Sequence, residues 1–293
     1  MLSSLKAGRT VTISIFIKGG IPLCNSKKVY VLDTGTMKMD KNYMISMHTP
    51  ASIDNPNPPA EFVEFPVYAV LIDHPEGKIL FDTGCNPDGM GEEGRWPQGI
   101  QTLFPAFQSE ECYLINRLEQ LKVRPEDIKY VVASHLHLDH TGAIGNFPNA
   151  THVVQRCEYE YAFTPDWFAA GGYIRKDFDK PGLKWQFLEL NYNDIFDLYG
   201  DGVVKMIPTP GHSPGHCSFM ITLPNSGSII LAVDAAYTTD HWDEKALPGF
   251  LASTVDAVRS VKKLHELADR HDALVVTGHD PIKWSEFKKG PNE

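Results

Sequence analysis

The segment "SHLHLDHTG", residues 134–142, places His135, His137, Asp139 and His140 within six positions, directly after the apolar run "KYVVA". In an extended segment alternate residues share a face, so His135 and His137 can point the same way toward one ion. Asp139 and His140 fall beyond them, where the chain turns and can aim at a second point. Neutral imidazole suits zinc and its neighbours, and a carboxylate adds an oxygen ligand. Six residues thus offer two ligands to each of two ions.

Two ions need more ligands, and further candidates stand at other strand ends. "IPTPGHSPGH" sets His212 in a tight Pro/Gly turn that leaves its ring little freedom. "ILAVDAAY" ends an apolar run with Asp234, whose two oxygens can bridge two ions, and "VVTGHD" ends another with His279. Each residue alone is also an ordinary turn histidine or strand-end cap. Their common position after apolar strands makes the case. A water shared by two cations roughly 3.5–4 Å apart loses a proton readily, since one Zn²⁺ alone can bring its water to a pKa of about 7.

The motif "HLHLDH", followed in order by His212, Asp234 and His279, resembles the metallo-β-lactamase superfamily over about residues 28–282. More narrowly, "VVQRCEYEYA", "PTPGHSPGH", "VDAAYT" and "GHD" are similar to the quorum-quenching N-acyl homoserine lactonases. The resemblance implies an αββα four-layer sandwich, an α/β fold. It implies one ion on His135, His137 and His212, a second on Asp139, His140 and His279, and Asp234 bridging. A metal-bridging hydroxide would open the lactone ring of an N-acyl homoserine lactone, giving the N-acyl homoserine. Tyr237, three positions after the bridging aspartate, would donate to the oxyanion, and Asp139 would pass a proton to the leaving alkoxide. Asp82, in "FDTG", would support the histidine ligands from behind. Zinc is the leading metal, with cobalt, iron or manganese also suited to such N/O sites.

An acyl substrate needs an apolar channel. Met37 and Met39 alternate on a segment that the resemblance puts near the site, Phe104 and Phe107 lie in a long loop, and Leu138 lies inside the metal motif. Methionine and aromatic side chains make adaptable apolar walls. The same loop, around Trp96, is alternatively a homodimer contact of the kind found in related lactonases. His216 and Cys217 read as structural, and His74 and His265 as solvated.

The elements that must position these residues are legible as alternating or β-branched runs: "KVYVLDTG", "VYAVLIDHPEGKILFDTG", "KYVVASH", "THVVQRC", "KWQFLEL", "VVKMIPTPGH", "CSFMITLPNSGSIILAVD" and "ALVVTGHD". The "HPEG" and "PNSG" turns make two of them hairpins. Helices are expected over 110–122, from near Cys157, and over 253–270, where Val255, Val258, Val261, Leu264, Leu267 and Ala268 line one face. The two halves share a rhythm: a hairpin ending in aspartate, a helix, then a strand ending in histidine. The loops 40–62 and 86–108 are long enough to be binding loops or lids.

The 293 residues fit one large α/β domain over 28–293, preceded by a leader or first strand over 1–27. A net charge of −10 disfavours nucleic acid and anionic membrane as partners. Five scattered cysteines without a CxxC pair suit a reducing cytoplasm, although basic residues before "TVTISIFI" leave export open. A glutathione-thioester hydrolase would need a C-terminal helical domain, and fourteen residues follow His279. A phosphodiesterase acting on RNA would want a basic exosite. Other lactones and phosphoesters stay open as alternative substrates of the same hydrolytic site.

Overall fold

The computed structural model describes residues 12–13, 28–223 and 227–287; the expected leader over 1–27 lies outside the described residues except Thr12 and Ile13. The first sheet contains β1 (Thr12–Ile13), β2 (Lys28–Asp40), β3 (Phe62–Asp73), β4 (Lys78–Phe81), β5 (Ala106–Phe107), β6 (Ile128–Val132), β7 (Thr151–Gln155) and β8 (Lys184–Leu188). Its order is β1-β2-β3-β4-β6-β7-β8, with β5 on β2. The second sheet contains β9 (Phe196–Asp197), β10 (Val204–Pro208), β11 (Cys217–Leu223), β12 (Gly227–Val233) and β13 (Leu274–Thr277), in the order β13-β12-β11-β10-β9. Pairing is antiparallel within the hairpins and parallel at β4/β6 and β12/β13, where a helix-bearing connection crosses over.

Strand alternation sorts the side chains into layers. In β4, Ile79 and Phe81 face the second sheet while Leu80 faces outward; in β12, Leu231 and Val233 face inward while Ile230 and Ala232 face outward. Phe81 and Phe219 stack across the seam with ring centroids 4.1 Å apart. The helix Leu114–Gln120 puts Leu114 and Leu118 on the outer face of the first sheet. The helix Thr254–His271 lays Leu264, Leu267 and Ala268 on the outer face of the second. Ser253 caps that helix by accepting from the Asp256 N–H. The layers therefore run helix, sheet, sheet, helix, the expected αββα sandwich. No helix among the described residues is long and apolar enough to cross a membrane.

Three local expectations are corrected. The helix expected over 110–122 is split into a 3₁₀ turn, Glu110–Cys112, and an α-helix that starts at Leu114. His74 is buried, stacked on Tyr199 with ring centroids 4.3 Å apart and paired with Asp201 at 2.9 Å. His265 is covered by the Trp242 ring at 3.8 Å. Both histidines sit on aromatic faces that lie far away in sequence, so no local pattern announces them.

Candidate metal centre

Four strand ends meet along one edge of the seam. The turn after β6 carries His135, His137, Asp139 and His140. The turns after β10, β12 and β13 carry His212, Asp234 and His279. The first sheet thus brings four of these side chains and the second brings three. The chain bends sharply at one of these strand ends and at the neighbouring end of β4. Asp82, after β4, has φ 52°, and Val233, at the end of β12, has φ 50°, a conformation rarely adopted by a β-branched residue. Such strain persists where the surroundings over-determine it, commonly at functional sites.

The seven side chains form two abutting cages. In the first, His135 Nε2 lies 3.0 Å from His137 Nδ1, His212 Nε2 lies 3.1 and 2.8 Å from those two atoms, and Asp234 Oδ2 is 3.3 Å from His212 Nε2. In the second, His140 Nε2 is 3.4 Å from Asp139 Oδ2 and 3.5 Å from Asp234 Oδ1, and His279 Nε2 is 3.6 and 3.1 Å from the same two oxygens. Two nitrogens bound tetrahedrally at 2.0–2.1 Å from a zinc ion stand about 3.3 Å apart, so these spacings have the size of cage edges. Asp234 alone touches both cages, one oxygen in each.

Neighbouring groups decide which ring nitrogen carries the proton. Asp82 Oδ1 accepts from the Ser134 N–H at 2.8 Å, and Oδ2 accepts from the Ser134 hydroxyl at 2.7 Å and from His140 Nδ1 at 2.8 Å. With its proton given to Asp82, the Ser134 oxygen accepts from His135 Nδ1 at 3.0 Å. His279 Nδ1 donates to Pro66 O at 2.9 Å. Each of these rings then directs the lone pair of its Nε2 into a cage. His212 Nδ1 has two acceptors, Phe250 O at 3.3 Å and Tyr237 Oη at 2.9 Å. Tyr237, accepting there, has its own proton free to donate elsewhere. The buried atoms His140 Nε2 and Asp234 Oδ1 have no hydrogen-bond partner among the described residues. Such orphaned acceptors are costly unless a ligand satisfies them. These donor sets fit a pair of divalent cations.

Electrostatics point the same way. Burial holds His135, His137 and His212 below the ordinary imidazole range, which keeps them neutral. Burial also works against charge on His140, but Asp139, Asp234 and Asp82 outweigh it and raise its affinity for a proton. Burial favours neutral Asp234 and Asp139, yet the surrounding imidazoles hold both below the carboxylate range. Tyr237 is pushed up by burial, then by Asp234 and Asp139, and so keeps its proton.

Beside the cages lies a cavity of about 320 Å³. Met37, Met39, Phe104 and Leu138 line it, together with Asp139, Asp234, His279 and Tyr237. Phe107, expected with them, does not line it. Ala106 pairs with Met37 and Phe107 with Thr36, and strand alternation turns the Phe107 ring out to solvent, where it is half exposed. Trp96 is no surface contact either, being buried against Gly89 beneath the same loop. The walls that the sequence did not announce are Tyr43, Phe65, Ile100, Leu103, Trp167, Phe168 and Phe250. Trp167, Phe168 and Phe250 come from loops without periodicity, Tyr43, Ile100 and Leu103 from the short helices Lys41–Met44 and Gln98–Leu103, and Phe65 from β3. The one usable signal was "DWF", an aromatic pair in a polar, proline-containing stretch. His216 stands behind the cages, where its Nε2 accepts from the Asp234 N–H at 3.1 Å, and Cys217 is core.

Comparison with known proteins extends this picture. A family model described as "Metallo-beta-lactamase superfamily" matches residues 63–279. The chain is 54% identical over 266 residues to the N-acyl homoserine lactonase AttM of Agrobacterium fabrum, covering 90% of this chain and 97% of that one. It is 32% identical over 256 residues to the N-acyl homoserine lactonase AiiA of Bacillus thuringiensis subsp. kurstaki, covering 87% and 93%. A solved N-acyl homoserine lactone hydrolase, with N-hexanoyl-L-homoserine bound at its catalytic metal centre, superposes with a TM-score of 0.75 at 28% identity, over 88% of this chain and 95% of that one.

Proposed function

The chain belongs to the metallo-beta-lactamase superfamily, and from that premise we propose that it is a metal-dependent N-acyl homoserine lactone hydrolase. The observation that carries this reading is the pair of cages sharing Asp234 on the floor of an apolar cavity. His135, His137 and His212 would hold one cation and Asp139, His140 and His279 the other, with Asp234 offering one oxygen to each. Two such cations, zinc by the chemistry of the donor set, supply Lewis acidity for water activation and carbonyl polarisation.

This chain's own residues do the rest. The Tyr237 hydroxyl, with its oxygen already accepting from His212, gives its proton to a hydrogen bond with the lactone carbonyl oxygen as charge develops there. Asp139, on the cavity wall and held ionised, takes the proton of the attacking water and returns it to the ring oxygen as the acyl C–O bond breaks. Met37, Met39, Phe104 and Leu138 receive the acyl chain and keep bulk water from the carbonyl. Residues 28–293 act as one catalytic domain. A cytoplasmic location suits the scattered cysteines and acidic charge, and a homodimer is the assembly that light scattering would test.

The test is proton release, followed with an indicator, when metal-loaded protein meets N-acyl homoserine lactones of several chain lengths, beside a glutathione thioester, a β-lactam and a phosphotriester. Lactone opening that a chelator abolishes supports the reading. Silence on lactones with two metals bound, and turnover of one of the other substrates, would overturn the substrate and keep the hydrolytic site.

A further inference from the structure

Behind the first cage lies a carboxylate that the reaction does not touch. Glu158, on the helix Arg156–Phe163, is fully buried, and no Lys or Arg pairs with it among the described residues. Four donors converge on it. Oε1 accepts from the Leu136 N–H at 3.0 Å and the Tyr173 hydroxyl at 3.1 Å; Oε2 accepts from the Ser213 hydroxyl at 2.7 Å and the Gly215 N–H at 3.1 Å. Leu136 lies between His135 and His137, and Ser213 follows His212. One side chain therefore ties together the two turns that supply all three imidazoles of the first cage. The approach is close enough that a Cβ on residue 215 would sit 2.5 Å from the Glu158 backbone nitrogen, so residue 215 has to be glycine. The second cage has other supports, Asp82 behind His140 and Pro66 O behind His279.

We propose that Glu158 is a positioning residue for the first metal cage, setting the affinity of the His135–His137–His212 site and leaving the Asp139–His140–His279 site largely alone. This rests on the two-cation reading above. The donor pattern explains why a carboxylate is needed. Hydroxyls can turn round to accept, but backbone N–H groups cannot, and each Glu158 oxygen receives one of these. A glutamine has a single acceptor oxygen, so its amide NH₂ must face the N–H of either Leu136 or Gly215. One of the two turns then moves off the carboxylate, and its histidine ligands move with it.

The experiment titrates metal-free wild-type and Glu158→Gln protein with cadmium or zinc against a competing chelator, with ¹¹³Cd NMR to separate the cages. The nitrogen-rich first cage gives the more deshielded resonance. The variant is expected to lose that resonance first, with the affinity of that ion down about tenfold or more. The second resonance and the thermal midpoint of the metal-free protein should stay near wild type, and excess metal should restore kcat. Equal weakening of both ions, or none, would overturn the proposal. If the variant does not fold, Ser213→Ala with Tyr173→Phe removes two donors while both backbone N–H bonds remain. A smaller loss confined to the first cage supports the proposal, and its absence overturns it. Wild-type protein that binds fewer than two ions would instead bring down the two-cation reading itself.

Discussion

Replacing Asp82 with Asn changes one atom and should disable the second cage through a proton that moves across a ring. Asp82 accepts three hydrogen bonds, from the Ser134 N–H, the Ser134 hydroxyl and His140 Nδ1, at 2.8, 2.7 and 2.8 Å. The backbone N–H fixes the side-chain oxygen of Asn, so its NH₂ faces the Ser134 hydroxyl and His140. The hydroxyl can accept, but His140 can do so only by moving its own proton to Nε2. That atom is the cage lone pair, 3.5 Å from Asp234 Oδ1. Binding an ion then requires the original tautomer and leaves two N–H groups opposed, a buried unmet donor costing about 1–3 kcal/mol. Removing a partner that orients a metal ligand typically costs 10–100-fold in affinity, or about 1.4–2.7 kcal/mol, so the two estimates agree. Chelator competition on Asp82→Asn should show the second ion weakened by that factor. The first ion should change little, because Ser134 can still accept from His135. Wild-type affinity at both ions would refute the tautomer argument, and equal loss at both would refute the separation of the cages.

Other changes probe other parts of the site. Tyr237→Phe should lower kcat by about 10²-fold with metal content unchanged, since His212 keeps Phe250 O as its acceptor; an unaltered rate removes Tyr237 from the chemistry. Gly142→Ala would bring a Cβ within 2.1 Å of the Asn86 nitrogen and the Cys85 carbonyl carbon, so the urea midpoint should fall by the equivalent of about 1–3 kcal/mol; an unmoved midpoint contradicts that packing. Burial lowers His216 to about 3 and His241 to about 4, whereas the unfolded chain titrates them near 6.5. Below pH 6.5 the unfolded state therefore binds protons that the folded state refuses, and stability falls as pH drops from 6.5 toward 4. NMR titration of the two rings in metal-free protein checks this; a ring that titrates near 6.5 is not held neutral.

The candidate metal ligands were legible in the sequence because their positions follow from local rules. Three histidines and an aspartate in six residues need no tertiary information, His212 sits in a Pro/Gly turn just after an apolar run, and Asp234 and His279 each end one. The layers were legible for a similar reason, since "ILF" and "IILAV" are continuous apolar runs, as strands covered on both faces require. The cavity wall was only half visible. Phe107 was misplaced because its facing depends on pairing with β2, and a shift of one residue reverses every side chain. Trp167 and Phe250 arrive from loops, where no period says which way a side chain points, and Tyr43 from the helix Lys41–Met44, which is too short to show one. Glu158 reads as an ordinary helical glutamate until Leu136, Tyr173, Ser213 and Gly215 are brought to it from both sides.

The division of the ligands between the sheets bears on how the molecule comes to work. A chain that has formed only its first sheet owns His135, His137, Asp139 and His140, two donors for each ion and no bridge. Docking of the second sheet supplies a third donor to each cage and Asp234 to both at once. An ion in either cage would link segments far apart in sequence, and by mass action occupied cages would stabilise only the docked state. Catalysis is thus a reporter of inter-sheet docking. During refolding, helix and strand signals should recover before activity does, and added metal should slow the undocking of the two sheets.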